Sequence, residues 1–135
     1  MISMETLEEL KEKYNKLTEE RVKLYIKISN LENKKILEKI TIGDCFLNRD
    51  YNTIEKVTVI NDKRIYSICL DKYSVRRKYT NAEDTDNWKK ITSKQFNSIY
   101  LALLKDIQDP DFEFKEESNW DIAFKAIIES INKEK

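Results

Sequence analysis

Histidine is absent from the 135 residues, and the two cysteines, Cys45 and Cys69, stand 24 positions apart. Without histidine the chain lacks the commonest general base, the Ser/His and Cys/His nucleophile pairs, and the usual ligand of zinc and iron. Two thiolates alone cannot complete a four-ligand zinc site within one chain. The single glycine, Gly43, rules out a phosphate-cradling loop, which needs several residues without side chains close to the phosphate. Pro110-Asp111-Phe112-Glu113-Phe114-Lys115 has the residue types of a metal-dependent nuclease. In that pattern the Pro-Asp and Glu-x-Lys halves sit on neighbouring strands, well apart in sequence, whereas here they adjoin in a polar stretch. The expectation is therefore a protein that is not an enzyme, with no catalytic residues, no metal and no cofactor.

What chemistry remains is that of binding. Lys63-Arg64, Arg76-Arg77-Lys78 and Lys89-Lys90 are interleaved with Tyr66, Tyr73, Tyr79 and Trp88. Arg64, Tyr66, Arg76, Arg77, Lys78, Lys89 and Lys90 form a candidate basic and aromatic face. On a small β-barrel such a face would engage a partner protein, or pair with phosphates and stack on bases of single-stranded nucleic acid or a nucleotide. The competing expectation is an ordinary solvated face with its aromatics turned inward, favoured by the nearby acids Glu55, Asp62, Asp71, Glu83, Asp84 and Asp86. Formal net charge is zero, which argues against strong non-specific attraction to nucleic acid or acidic membranes. Residues 41–91 hold ten basic and eight acidic groups, residues 92–135 six and nine. The acids from Asp106 to Asp121 suit a solvated linker better than a docking site for a basic partner.

These residues need a frame, and the clearest part of it is the first forty or so positions. Leu7, Leu10, Tyr14, Leu17, Arg21, Leu24, Ile28 and Leu31 recur at alternating steps of three and four, the seam of a coiled coil. The helix carrying it is expected from about Met4 to about Lys39, with Leu10, Leu17, Leu24 and Leu31 at d and Leu7, Tyr14, Arg21 and Ile28 at a. A second stripe, Val22, Ile26, Ile36 and Ile40 with Ser29 and Asn33 between them, lies on another side and is expected to dock on the chain's own sheet. The seam then awaits another helix, from a second copy or from the final helix of the same chain.

Beyond Thr41 the period changes to that of strands. Gly43 falls at the helix exit, as a C-cap or a tight turn. Residues 48–52 read as a turn, Thr53 to Ile60 as a strand, Asn61-Asp62-Lys63 as a short turn, and Arg64 to Leu70 as the returning strand. Tyr73 to Tyr79 alternates, residues 80–87 form a polar loop, and Trp88 to Ile91 is a last strand. Thr92 or Ser93 caps a helix over about Lys94 to Ile107, with an apolar face of Phe96, Ile99, Tyr100, Leu103, Leu104 and Ile107. Ser118 to Asp121 resembles a capping box opening a final helix that turns Trp120, Ala123, Phe124, Ile127, Ile128 and Ile131 to one side.

The expected fold is α+β: a long N-terminal coiled-coil helix, a small five-stranded antiparallel sheet or SH3-like barrel, and two C-terminal amphipathic helices. Its parts are residues 1–40 (coiled coil), 41–107 (β-rich module with a packed helix), 108–117 (acidic linker) and 118–135 (C-terminal helix). No apolar run reaches the roughly 18–20 residues that span a bilayer, and the start lacks a signal peptide's pattern. Cys45 and Cys69, in apolar strand-like surroundings, are expected as reduced, buried thiols of a cytosolic protein.

A coiled-coil helix joined to a tiny strand-rich module, in a composition rich in Lys, Ile and Asn, resembles small proteins of phages and mobile elements. Anti-CRISPR and other anti-defence proteins are among these, and the resemblance is one of general style. It implies a non-catalytic protein, homodimeric through its first helix, that occupies a bacterial defence effector in the cytoplasm of the host cell. A nucleic-acid-binding barrel and a sponge for a nucleotide signal are the alternatives.

Overall fold

The computed structural model describes residues 5–133. Helix α1 (Leu7–Glu38) leads into strands β1 (Cys45–Asn48), β2 (Thr53–Asn61), β3 (Arg64–Leu70), β4 (Val75–Asn81) and β5 (Trp88–Ile91). Helices α2 (Ser93–Gln108) and α3 (Asn119–Lys133) close the chain. The described residues fold as α+β, with three α-helices and one antiparallel five-stranded sheet in the order β4-β3-β2-β1-β5. Met4, the expected first helical residue, lies outside the described residues.

Local chemistry explains the boundaries. Thr6 caps α1 by accepting the Glu9 N–H, and Glu8 and Glu9 favour the positive end of the helix dipole. The helix stops at Lys39 without help from Gly43, which acts further on. With φ at +96°, Gly43 occupies a backbone region that penalises a Cβ, and its N–H reaches the Val57 carbonyl at 2.8 Å. The Val57 N–H in turn donates to the Asp44 carbonyl at 2.9 Å, and the β2–β3 register shifts between Val57 and Val59. Gly43 thus serves the expected tight turn, closed by the Asp44 N–H donating to the Thr41 carbonyl at 3.0 Å, rather than a helix end. Asn52 and Asp62 take the left-handed conformation in the β1–β2 and β2–β3 turns, where their residue types are tolerated.

Each face of the sheet carries its own core. Leu47, Ile54, Leu70 and Ile91 meet Phe96, Ile99 and Leu103 of α2 and Trp120, Ile127 and Ile131 of α3. On the other face Phe46, Val57, Ile65 and Trp88 meet Ile36, Leu37 and Ile40 at the end of α1 and just beyond it. Ala82, in a 3-10 turn (Ala82–Asp84) between β4 and β5, is fully buried. The expected loop over 80–87 is therefore partly core: Thr80 and Asn81 complete β4, and the helix end packs against the turn.

The C-terminal helices hold each other by their ends. Thr92 and Gln95 form a capping box on α2. Ser118 and Asp121 form the expected box on α3, the Ser118 N–H donating to Asp121 and the Asp121 N–H to the Ser118 hydroxyl, each at 3.1 Å. Ile107, expected on the apolar face of α2, is exposed, and its neighbour Asp106 is buried instead. Asp106 accepts the backbone N–H groups of Asn119 and Trp120, so the last turn of α2 also caps α3.

Candidate functional site

The longest exposed apolar row among the described residues is the α1 seam. Leu7, Leu10, Tyr14, Leu17, Leu24, Ile28 and Leu31 are each 51–71% exposed, and Arg21 is exposed among them. The docking stripe is shorter than expected: Ile36 and Ile40 pack on the head, joined by Leu37 and the buried Asn33, but Val22 and Ile26 stay exposed. The final helix does not fill the seam, since its apolar face is spent on α2 and the sheet. At 100° per residue Leu31 points roughly 160° away from Asn33, so the seam faces outward from the head. The helix upstream of Ser29 extends about 33 Å with no buried residue.

The basic and aromatic residues do not form one surface. Cross-strand pairing sets Arg64, Tyr66, Arg77 and Tyr79 on one face of the β3–β4 hairpin and Arg76 and Lys78 on the other. Lys89 and Lys90 lie on β5, at the opposite edge of the sheet order from β4. Lys90 pairs with Asp44 at 3.6 Å. The first group is a true cluster. The Arg64 guanidinium lies over the Tyr79 ring at 4.8 Å, Tyr79 is 6.1 Å from Tyr66, and both tyrosines and Arg77 line a groove of about 680 Å³. Tyr73, by contrast, sits in the turn before β4 and meets Phe112 edge-on.

Lys78 belongs to a different constellation, one that single-residue reading of the sequence overlooks. Glu55 on β2 is fully buried. One carboxylate oxygen accepts the Ser67 hydroxyl at 3.1 Å and lies 3.4 Å from the Lys78 ammonium; the other accepts the Asn48 amide at 3.0 Å. Lys78 also lies over the Tyr51 ring at 5.0 Å. Strand alternation puts Glu55 between the inward Thr53 and Val57, which is the one sequence signal for its burial. Its partners follow only from the register of β1, β3 and β4. The arrangement neutralises a buried charge and fixes four strands, β1 to β4, to one another.

Cys45 and Cys69 are buried and unbonded, and burial pushes both thiols above their ordinary range, with the nearby Glu55 carboxylate adding to the effect at Cys69. Both are therefore poor nucleophiles. Among the described residues no group of three or more acidic or cysteine side chains is placed to hold a metal. None of the described helices is long and apolar enough to cross a membrane.

The acids of the 106–121 stretch are largely committed within the chain. Asp109 pairs with Lys115 at 2.6 Å and Asp121 with Lys72 at 3.1 Å, the latter tying the β3–β4 turn to α3. No known protein family, curated protein or solved structure matches this chain.

Proposed function

We propose that the protein is a non-enzymatic binding protein that self-associates through α1 and uses its head to occupy a macromolecular partner. The outward row of Leu7, Leu10, Tyr14, Leu17, Leu24, Ile28 and Leu31 carries this reading, because so long an apolar stripe on a projecting helix is stable in water only when covered. In this reading α1 forms a coiled coil and the sheet is an SH3-like barrel, the latter supported by the return of β5 to pair with β1 after the β1–β4 meander. The most concrete form is a phage-type inhibitor of a bacterial defence effector, of the CRISPR–Cas kind, acting in the host cytoplasm.

The test is in two parts. Leu17→Asp with Leu24→Asp converts the oligomer to monomers in sedimentation while leaving the circular dichroism of the head unchanged; an unaltered oligomer rejects the seam. Expression of the protein in a bacterium immunised against a phage restores plaque formation, and the double variant restores it less. Full immunity in the presence of the wild-type protein rejects that effector as its target.

A second reading rests on the Arg64, Tyr66, Arg77 and Tyr79 cluster, whose stacked cation and paired rings suit a single-stranded nucleic acid or a nucleotide. Mass spectrometry of the purified protein reveals a retained nucleotide if the cluster serves as a sponge.

A further inference from the structure

The seam leaves open which way a second copy lies, and the charges beside it decide. With Leu7 at a, the g positions are Lys13, Glu20, Lys27 and Lys34, and the e positions are Lys11, Thr18, Tyr25 and Glu32. We infer that two copies pair as a parallel, in-register coiled coil, so that both heads stand side by side at the same end. This deepens the proposal of self-association through α1 and rests on it.

In a parallel pair each g residue faces the partner's e residue five positions on, and each a residue lies against the partner's preceding g residue. Lys27 then meets Glu32 of the second copy, twice by symmetry. Arg21, the one charged seam residue, meets Glu20 of the second copy, also twice. The charge that interrupts the apolar row is thereby neutralised by the residue beside it. In an antiparallel pair with full overlap, g faces g. Lys13 would then oppose Lys27, Glu20 would oppose its own counterpart, and Arg21 would lie on Leu17. Every close charge contact becomes repulsive or unpaired.

Strand number follows from the same residue. In a two-stranded coil an arginine at a can bend its head out of the seam to water, whereas three or more strands enclose it. Leucine at every d position and Ile28 at a agree with two strands. The head does not obstruct this arrangement, since Leu31 points away from the docking side marked by Asn33 and Ile40. Two heads at one end give a bivalent ligand, whose second contact with a partner of matching spacing is intramolecular.

Cysteine cross-linking of the full-length chain separates the possibilities, because the native thiols are buried and slow to react. Leu10→Cys places two thiols at one d layer of the parallel pair, and mild oxidation links the two chains. In the antiparallel pair Leu10 faces Ile28, so Leu10→Cys links only to Ile28→Cys in a mixture of the two variants. Self-linking of Leu10→Cys at the dimer mass supports the inference. A dimer that links only in the mixture overturns the orientation and leaves self-association standing, whereas a monomeric wild type in sedimentation overturns both. A charge exchange gives an independent readout. Glu20→Lys weakens the dimer about tenfold, and adding Arg21→Glu restores it. No recovery in the double variant overturns the parallel register.

Discussion

The Asp106 carboxylate, in the last turn of α2, accepts the backbone N–H of Trp120 at 2.8 Å in the first turn of α3. The same carboxylate accepts the Asn119 N–H at 3.0 Å, so one side chain satisfies two groups that a helix start leaves without partners. Trp120 is itself a core residue. The bond therefore joins the angle between α2 and α3 to the packing of both on the sheet.

Asp106→Ala leaves both N–H groups unsatisfied next to the core and lowers the unfolding free energy by about 2–3 kcal/mol. Asp106→Asn keeps one acceptor oxygen and loses less. Urea titrations of the two variants measure the difference, and an Asp106→Ala midpoint equal to wild type refutes the capping role.

The Glu55 network responds to loss of its cation. Lys78→Met strands a buried carboxylate on two neutral donors and costs about 2 kcal/mol, less than a wholly enclosed pair because the lysine is partly open to solvent. Glu55→Gln in the same background recovers part of that loss, since the amide oxygen still accepts from Asn48 or Ser67. A double-mutant cycle by chemical denaturation reads the coupling at about 1–2 kcal/mol. Strict additivity removes Lys78 from the network.

Acid stability reports the α3 cap. Burial works to raise the Asp121 carboxyl, but the Ser118 N–H and hydroxyl together with Lys72 outweigh it and hold the group below its ordinary value. A carboxyl depressed in the fold contributes stability that is present above its unfolded value near 4 and lost as pH falls through the folded one. Lys72, raised chiefly by its bond to Asp121, contributes in the opposite sense, with stability present below about 10.5 and lost as pH rises past its folded value. Asp121→Asn therefore flattens the decline in stability between about pH 4 and pH 2, measured by thermal melts across that range. A decline as steep as that of wild type contradicts the assignment.

Nucleic-acid affinity separates the two faces of the β3–β4 hairpin. If the tyrosine cluster binds a single strand, fluorescence anisotropy with a short oligonucleotide shows affinity falling steeply with salt. Arg64→Ala with Arg77→Ala then reduces it at least about tenfold, as expected when both a stacked and a paired cation are lost. Arg76→Ala leaves it unchanged, since Arg76 lies on the opposite face. Equal losses from all three positions point to diffuse charge attraction and exclude the cluster.

Elements were legible in the sequence wherever local periodicity decides them. Arg64–Leu70 and Trp88–Ile91 have the expected limits, and both C-terminal helices lie within one or two residues of theirs. The capping box at Ser118 was readable because its two members are three residues apart. The roles of Glu55 and Asp106 were not, because their partners come from strands and helices distant in sequence, and a lone acid on a pattern looks like a solvated one. The basic face failed for a related reason. Arg76 and Arg77 are neighbours in the chain, yet strand alternation turns them to opposite sides. The expected docking stripe on α1 was too long because periodicity marks a face but not where the head ends.

The strand order gives the basic residues a further consequence. Arg76, Arg77 and Lys78 lie on β4, and Lys89 and Lys90 on β5, the two strands with an unpaired side. Such borders are templates on which a second sheet grows, and cationic side chains oppose that growth by repelling an identical border. The hazard is greatest for two copies tethered at one end of a coil, where local concentration approaches the millimolar range. In the proposed dimer, charge along both rims would keep the tethered heads as separate folded units rather than the start of a continuous ribbon.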